Sequence, residues 1–352
     1  MRATSDTSST PWTGSLGNMA AETIADARAP SGPDRKRGRG RVVISVLGGV
    51  LLAVAGTGLA VHWLDTGHRL LLIAASAAYL LAPASVVGLV LFLVARQWIL
   101  VVCALVLIGL QVVAYGPLFV GETAPADSDD VTVMTQNMLY GRADPQSIVA
   151  RLKTEDVDVL AVEELTPAAV KALQAAGIGD VMPYGWWRSA PGATGTGLWS
   201  RYPFVDPVAE RGFSMFTVTA RMELPTGQRV SLVAVHPSAP YPQSPREWLD
   251  DYASLRSLLH DRLPGGPVIV AGDFNATWDH ANFRSLLTGG YRDAAEQSGA
   301  GLVRTWPADR YVPLIGIDHV LTRGAVATSF DVVATPRTDH RGVVSTVAIP
   351  RT

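Results

Sequence analysis

Three long apolar runs constrain the fold of this chain more than any other feature. They cover residues 42–63, 70–95 and 98 to about 120. At ~1.5 Å of rise per helical residue, each run is long enough to cross a hydrocarbon core of ~30 Å. Buried helices of a soluble core would need polar faces, and these runs have almost none. The sequence therefore predicts three transmembrane helices in residues 42–120, with Pro83 as a position where the second can kink.

The residues before the first run predict the orientation of these helices. Residues 1–41 are predicted to be a disordered tail that ends in the basic stretch RKRGRGR at 35–41. Positive residues flank the cytoplasmic side of membrane helices, which places the amino terminus inside and the carboxyl-terminal domain outside. Arg96, between the second and third runs, agrees with this orientation, whereas Arg69 is an exception. We expect a multi-pass protein of the cell membrane with an extracytoplasmic domain.

Composition excludes several kinds of site. The single cysteine, Cys103, rules out a disulfide framework and a cysteine-based zinc site. From residue 123 onward, 20 Lys and Arg stand against 25 Asp and Glu. Such an acidic domain is poorly suited to hold a nucleic acid, because that binding depends on counterion release by basic residues. The adjacent Trp186 and Trp187 are predicted to pack within the domain in preference to touching lipid or substrate.

Beyond a short polar linker at 121–130, strand-like and helix-like segments alternate. The predicted strands are 131–136, 157–162, 197–200, 216–223, 230–236, 268–271, 317–321, 330–333 and 343–349. The predicted helices are 145–154, 167–176 and 246–263. Hairpins occur beside crossovers, so we expect an α/β (α+β) domain at 131–352. It is predicted to be a four-layer α/β sandwich of two mixed β-sheets flanked by helices, preceded by the three transmembrane helices.

The central strand of this domain ends in the stretch GDFN at 272–275. Asp273 and Asn275 follow the strand directly, at its carboxyl end, where α/β sheets place their ligands. Residues two apart in an extended chain point to the same side, so the carboxylate and the amide can address one substrate group. The alternative is a turn rich in Asp and Asn that closes a core strand.

Asp273 and Asn275 belong to a small set of polar residues that interrupt apolar runs, and nearly all of the set fall at predicted strand ends. They are Asn137, Glu164, His236, Asp273, Asn275, Asp318, His319, Asp339 and His340. Each alone has a simple structural explanation, such as a turn, a helix cap or a surface loop. Together they supply oxygen ligands for a divalent ion of the magnesium type, and imidazoles that can move protons or donate to oxygen. The set suits hydrolysis of a phosphate ester.

Seven short motifs at these positions resemble the endonuclease/exonuclease/phosphatase (DNase I-like) superfamily, in the family order. They are TQNM (135–138), VEEL (162–165), GLWSRYP (197–203), VHP (235–237), GDFN (272–275), IDHV (317–320) and TDHR (338–341). The resemblance covers roughly residues 130–350. Two positions depart from the family pattern: Glu163 replaces a usual Gln, and His319 replaces a common Tyr. Glu163 is expected to add a charge beside the metal site.

The resemblance implies a metal site that holds Mg²⁺ or Mn²⁺. Glu164 would be the main metal carboxylate, with Asn137 and Asp339 nearby. Asp339 is also an alternative to Asp318 as the residue that orients His340.

The resemblance also implies a catalytic set, which consists of His340, Asp273, Asp318, His236 and Asn275. His340 would face the scissile phosphorus. Asp273 would position or deprotonate the attacking water, while Asn275 and His236 would contact the phosphoryl oxygens. The resemblance leaves open whether Asp273 or His340 is the base.

The leading functional interpretation is a membrane-anchored, metal-dependent phosphoesterase that acts on a lipid-linked phosphate ester or diphosphate. Tethering to the bilayer favours such a substrate, because the domain reaches no further than its linker allows. The layout is similar to membrane-anchored actinobacterial proteins associated with teicoplanin-type resistance, which would imply an undecaprenyl-linked cell-wall precursor. The alternatives are a surface-tethered nuclease and a non-catalytic binding module, which would show a broken set of polar residues. No protein partner is predicted.

Overall fold

The computed structural model describes residues 33–309 and 312–351. Its α-helices are α1 (Pro33–Trp63), α2 (Arg69–Ser76), α3 (Pro83–Ala95), α4 (Trp98–Tyr115), α5 (Pro145–Thr154), α6 (Pro167–Ala175), α7 (Ile178–Val181), α8 (Pro245–Ser257), α9 (Ala281–Arg284) and α10 (Ala294–Ser298). Short 3-10 segments cover Ala78–Leu81 and Gly116–Phe119, and a π-helical turn, Leu258–Arg262, extends α8. Residues 1–32 of the predicted disordered tail lie outside the described residues, and α1 already begins at Pro33.

The strands are β1 (Ser128–Asn137), β2 (Val159–Glu163), β3 (Tyr184–Arg188), β4 (Thr196–Ser200), β5 (Phe204–Ala209), β6 (Val218–Glu223), β7 (Arg229–Val235), β8 (Val268–Asp273), β9 (Tyr291–Asp293), β10 (Asp318–Arg323), β11 (Val326–Ala327), β12 (Asp331–Val333) and β13 (Gly342–Pro350). In the described chain they form two sheets, ordered β11-β13-β1-β2-β4-β3 and β5-β6-β7-β8-β10-β9, with β12 paired to β13. Each sheet is mixed, because β1 and β2 are parallel in the first, and β7 and β8 in the second. The remaining pairs are antiparallel.

Alternating side chains place the two sheets face to face with helices outside. On β1, Val131 and Val133 face the space between the sheets, whereas Met134 packs against α5 and α6. On β8, Ile269 faces the other sheet and Val270 packs against α8. This alternation is the period-2 pattern of a strand buried on both faces. The predicted four-layer sandwich is confirmed.

The strands that the sequence pattern missed lie mostly at sheet edges. At one edge, β3 contributes Trp187, which stacks on Trp199 with ring centroids 5.2 Å apart. Its neighbour Trp186 donates its indole N–H to the carbonyl oxygen of Val208 at 3.1 Å. The predicted packing role of the two tryptophans is therefore confirmed.

Among the described residues, three helical segments are long and apolar enough to cross a membrane: Gly38–Trp63, Ala78–Ala95 and Trp98–Phe119. The second is shorter than predicted, because α2 is a separate helix. Leu72 of α2 is buried and packs in one cluster with Val235 and Trp248 of the sandwich. Pro83 begins α3 instead of kinking a longer helix, as suits a residue that has no N–H to donate.

One buried carboxylate, that of Asp279, joins all three apolar segments to the sandwich. It lies in the loop after β8 and is 1 % exposed. Its Oδ1 lies 2.6 Å from Nδ1 of His62, in the first segment, and accepts the hydroxyl of Tyr115, in the third, at 2.8 Å. Its Oδ2 accepts the backbone N–H of Tyr79, in the second, at 3.2 Å. We call these four residues the Asp279 junction.

Neighbouring residues of the same loop strengthen this attachment. Trp278 donates its indole N–H to the carbonyl oxygen of Ala114 at 3.1 Å. Arg284 donates to the carbonyl oxygen of His62. The ring Nε2 of His280 donates to the carbonyl oxygen of Leu72 at 3.1 Å. The loop that follows the central strand is therefore where the sandwich meets the apolar helices.

Acidification is expected to weaken this attachment through His280. Burial lowers the pKa of His280 from 6.5 to about 4, beside the charged groups of Asp279 and Arg284. The unfolded chain takes up a proton near pH 6.5 that the folded chain resists until about pH 4. Stability therefore falls as the pH drops through this window. At ~1.36 kcal/mol per pKa unit, the loss from this residue approaches about 3 kcal/mol.

The measurement is thermal unfolding of the full chain in detergent micelles between pH 7 and pH 4. The His280→Gln variant cannot take up this proton, so its Tm is expected to fall less steeply below pH 6.5. Parallel profiles for the two proteins would show that His280 does not titrate in this window.

Candidate active site

The floor of the site is where β8 and β10 lie side by side. Their antiparallel register places Asp273, the last residue of β8, directly opposite Asp318, the first residue of β10. On its other side β8 lies close to β7 at Gly272, where a Cβ would be 2.0 Å from the carbonyl oxygen of Val235. Any larger residue would push β8 away from β7 at this point. Two buried carboxylates therefore lie side by side at one end of these inner strands of the second sheet.

His340 lies between these two carboxylates. Its Nδ1 is 3.1 Å and 3.0 Å from the two oxygens of Asp318, and its Nε2 is 3.6 Å from Oδ2 of Asp273. Carboxylate oxygens accept, so Nδ1 carries a proton and Asp318 holds the ring orientation. Burial by itself lowers the pKa of His340, but the charges of Asp318 and Asp273 outweigh it and raise the pKa to about 10.

Asp273 is held by contacts on every side. Its Oδ2 accepts from the amide of Asn137 at 3.0 Å, and its Oδ1 accepts from the backbone N–H of Asn275 at 2.8 Å. Nε2 of His236 lies 3.7 Å from Oδ2, while Nδ1 of that ring donates to the carbonyl oxygen of Ala193 at 3.2 Å. Desolvation by burial raises the pKa of Asp273. An acceptor oxygen is thus fixed in place with its proton affinity increased.

The predicted metal residues lie next to this floor. The amide of Asn137 also donates to Oε1 of Glu164 at 3.2 Å, so Asn137 bridges Glu164 and Asp273. Oε2 of Glu164 accepts from the backbone N–H of Tyr140 at 2.6 Å. Oδ2 of Asp339 accepts from the indole N–H of Trp306 at 3.1 Å. Its Oδ1 is buried and has no hydrogen-bond partner among the described residues.

These oxygens fit a divalent ion. Carboxylate oxygens are ligands that Mg²⁺ and Mn²⁺ prefer, and Oδ1 of Asp339 is a buried acceptor with no partner among the described residues. Asn137 turns its NH2 group to the carboxylates, while its Oδ1 accepts from the backbone N–H of Leu139 at 2.9 Å. A second grouping also exists, because Asp273, Asp318 and His340 each place one ligand atom within 4.8 Å of the others. Both oxygens of Asp318 already face the proton on Nδ1 of His340, so an ion there would have to displace that contact. Glu164 and Asp339, which line the same cleft, remain the predicted metal ligands.

The predicted residues converge on one cleft of about 300 Å³. Six of the eight line it: Glu164, His236, Asp273, Asn275, Asp339 and His340. Asn137 and Asp318 lie behind the lining and are hydrogen-bonded to it. Residues from six separate segments of the chain are therefore brought together, as a catalytic cleft requires.

The sequence model of the Endonuclease/Exonuclease/phosphatase family matches residues 134–340. The chain belongs to this family. Its members are metal-dependent hydrolases of phosphoric ester bonds, and this chain is such an enzyme. A comparison with curated proteins finds no match.

Solved structures of the family share the fold. A humanized TDP2 from D. rerio superposes with a TM-score of 0.53 at 19% identity, over 62% of this chain and 98% of that one. An endonuclease/exonuclease/phosphatase from Bacteroides vulgatus superposes with a TM-score of 0.51 at 17% identity, over 63% and 99%. At this level of identity the likeness establishes architecture alone.

His319, where the family commonly has Tyr, does not reach the cleft with the rest of the polar set. Successive residues of a strand face opposite sides, so the neighbour of Asp318 points away from it. The ring of His319 is buried with Nδ1 2.7 Å from Oδ2 of Asp293 and Nε2 3.0 Å from the carbonyl oxygen of Ala276. It packs against Phe283 with ring centroids 4.2 Å apart. His319 is therefore a core residue, held by its own carboxylate.

The environment of Glu163 disfavours the extra charge that the sequence predicts there. The side chain is fully buried, Oε1 accepts from the hydroxyl of Thr135 at 3.0 Å, and Oε2 has no partner among the described residues. Burial raises the pKa of Glu163 well above its usual range, and the nearby carboxylates of Asp318 and Asp273 raise it further. Its burial and these neighbouring carboxylates therefore disfavour the charged form of Glu163. A neutral carboxylic acid has nearly the shape of Gln, the residue usual in the family.

Several cleft residues carried no signal in the sequence. Met215 lies on the loop between β5 and β6, and Tyr241 lies on the loop between β7 and α8. Ile73 and Ser76 belong to α2, within an apolar run that the sequence assigns to a membrane helix. Only tertiary packing reveals that these residues face the site.

Proposed function

We propose that this protein is a membrane-anchored phosphoesterase that hydrolyses a lipid-linked phosphate ester or diphosphate on the extracytoplasmic face. One observation carries the proposal. The loop that begins with Asp273 and Asn275, on the cleft floor, continues to Asp279, which contacts all three apolar segments. Catalytic floor and apolar helices are therefore joined by one short piece of chain, and the cleft lies at the end of the helices where a lipid head group is found.

The residues of the cleft are proposed to have different roles in the reaction. Glu164 and Asp339, with Asn137 as their bridge to the floor, are the residues that would hold a divalent ion. Such an ion, when bound, withdraws charge from the phosphoryl group of the substrate. Asp273 has a fixed acceptor oxygen and is positioned to take the proton of the attacking water.

The imidazoles and the second amide act on the phosphoryl oxygens. His340, protonated on Nδ1 and oriented by Asp318, presents Nε2 to the floor and is suited to donate to a phosphoryl oxygen. His236 and Asn275 line the same cleft and are proposed to contact the phosphoryl oxygens. In this assignment Asp273 is the base and His340 the donor.

The orientation rests on the basic stretch at 35–41, which overlaps the start of the first apolar segment. Positive residues at that position favour a cytoplasmic amino terminus. The Asp279 junction lies at the opposite end of that segment, beside His62, and so on the extracytoplasmic side. The proposed domains are those predicted from the sequence: 1–41 for the tail, 42–120 for the membrane region, 121–130 for the linker and 131–352 for the catalytic domain. Within them, β1 already begins at Ser128, and α2 packs against the catalytic domain.

The test uses the full chain in detergent micelles, because the catalytic domain packs against the apolar helices. Farnesyl diphosphate, a phosphatidylcholine and single-stranded DNA are offered separately with Mg²⁺, and each assay is repeated with EDTA. We expect EDTA-sensitive hydrolysis of a lipid substrate, restored by excess Mg²⁺. Cleavage of the DNA with no lipid turnover would instead establish a tethered nuclease.

Two adjacent glutamates provide a matched pair of variants for this assay. Glu164→Gln is expected to lower kcat/KM by about 10²-fold or more, because charge stabilisation by a bound ion is worth several kcal/mol. Glu163→Gln changes a buried side chain that lies outside the cleft to one of nearly the same shape, and is expected to keep kcat/KM within about 3-fold of the parent. Equal losses in both variants would contradict the assignment of Glu164 to the metal.

A further inference from the structure

One wall of the catalytic cleft comes from outside the catalytic domain. Helix α2 buries Leu72 and Ala75 against the sandwich, and the neighbouring positions Ile73 and Ser76 line the cleft. Ile73 and Ser76 are three residues apart, so they lie on one face of the helix. The hydroxyl of Ser76 is turned back onto the carbonyl oxygen of Leu72, at 3.3 Å. The face that α2 offers to the cleft is therefore mainly apolar.

Two loops of the catalytic domain hold α2 in this position, and both also line the cleft. At the start of the helix, Arg69 donates to the carbonyl oxygen of Gln243 at 3.0 Å. Beyond its end, the hydroxyl of Tyr79 donates to the carbonyl oxygen of Leu314, next to the cleft residue Ile315. The helix thus spans the gap between the two loops and closes that side of the cleft.

Polarity changes across the cleft. Its floor consists of carboxylates and imidazoles that suit a phosphate and an ion. Its mouth has exposed apolar side chains, with Ile73 41% exposed and Tyr241 62% exposed. The second apolar segment begins at Ala78, two residues after Ser76. At ~1.5 Å per residue, the apolar mouth is about one helical turn from a segment able to enter a bilayer.

We propose that α2 is the lipid-side wall of the active site and selects an amphiphilic substrate. The phosphate group binds at the floor, and the hydrocarbon chain leaves the cleft past Ile73 towards the bilayer. Ile73 is then a specificity-determining residue that contacts the chain and not the reacting atoms. This inference rests on the proposed function and narrows its substrate class to phosphate esters that bear a long alkyl or prenyl chain.

A pair of chromogenic diesters tests the proposal on the full chain with Mg²⁺. Ethyl and hexadecyl 4-nitrophenyl phosphate share one scissile bond: water adds to phosphorus, the P–O bond to the nitrophenol breaks, and 4-nitrophenolate and an alkyl phosphate leave with the released proton. We expect Ile73→Gln to raise KM for the hexadecyl ester by about 10-fold, the scale of a lost apolar contact in a pocket. KM for the ethyl ester and both kcat values should change by less than about 2-fold.

Leu70→Gln is the matched control, because Leu70 lies on the same helix, is 68% exposed and does not line the cleft. It should leave both KM values unchanged. Equal effects of Ile73→Gln on the two esters, or no effect on either, would overturn the proposal. Absence of metal-dependent turnover of both esters by the parent protein would count against the proposed function instead.

A binding measurement decides the inference without turnover. The sole cysteine is removed by Cys103→Ala, and Ile73→Cys or Leu70→Cys is added. Hexadecylphosphonate is expected to slow maleimide labelling at position 73 by about 5-fold or more and to spare position 70, whereas ethylphosphonate slows neither. Equal protection of both positions, or of neither, would show that the chain does not pass along this face of α2.

Discussion

Replacing Asp273 by Asn is expected to lower kcat by about 10³-fold at saturating Mg²⁺, within the range of a lost general base. Asn keeps the shape of the side chain and an oxygen for the N–H of Asn275, so the loop after β8 should stay in place. The acceptor for the proton of water is removed, while the floor keeps its imidazole. KM for ethyl 4-nitrophenyl phosphate and Tm should change little. Release of 4-nitrophenolate by the full chain measures the effect.

The second sheet offers a close control in Asp293. This buried carboxylate also contacts an imidazole, with Oδ2 2.7 Å from His319, but it lies outside the catalytic cleft. Asp293→Asn is therefore expected to cost stability and to leave kcat per folded molecule within about 3-fold of the parent. A comparable fall in kcat for both variants would mean that the loss at Asp273 reflects general damage to the sheet and not a lost base.

The carboxylates around His340 in the cleft and the carboxylate beside His319 in the core show where prediction from the sequence succeeds and where it fails. Asp273 and Asp318 are predictable because they end and begin neighbouring strands of the second sheet, and His340 because it lies just before β13, an apolar strand of the first sheet. His319 has the same residue type and almost the same position, but strand alternation turns it into the core. The position of a polar residue at a strand end therefore makes it a candidate for the site. Whether it belongs to the site depends on the direction of its side chain, which only the structure shows.

The apolar region shows the converse. Residues 70–76 have the composition of a membrane helix, and nothing in their sequence distinguishes them from residues 83–95. What separates α2 is a tertiary contact, the burial of Leu72 among Val235 and Trp248. The same holds for Asp279. Its sequence context is that of an ordinary loop residue, and only the structure shows that three distant segments contact it. Long-range contacts of this kind leave no local pattern.

The Asp279 junction is the second place where one substitution should have a large effect. Asp279→Ala would leave the ring of His62, the hydroxyl of Tyr115 and the N–H of Tyr79 without their acceptor in a buried position. Each unsatisfied buried donor costs about 1–3 kcal/mol, and the sum is on the order of 5 kcal/mol. Such a loss is enough to release α2 and its neighbours from the sandwich while the sandwich itself stays folded.

Hydrogen exchange of the full chain in micelles measures this release. In Asp279→Ala, the amides of α2 and Tyr79 are expected to exchange at least about 10²-fold faster, whereas those of β8 keep their protection. Asp279→Asn retains one acceptor oxygen, so its exchange rates in α2 should lie between those of Asp279→Ala and those of the parent. Asp65→Ala, in the exposed connection before α2, should leave exchange unchanged. Unaltered exchange of α2 in Asp279→Ala would mean that apolar packing of Leu72 and Ala75 alone holds the helix against the catalytic domain.

Enzyme kinetics of Asp279→Ala add a functional readout. Because release of α2 removes the apolar wall of the cleft, KM for the hexadecyl ester should rise while KM for the ethyl ester stays unchanged.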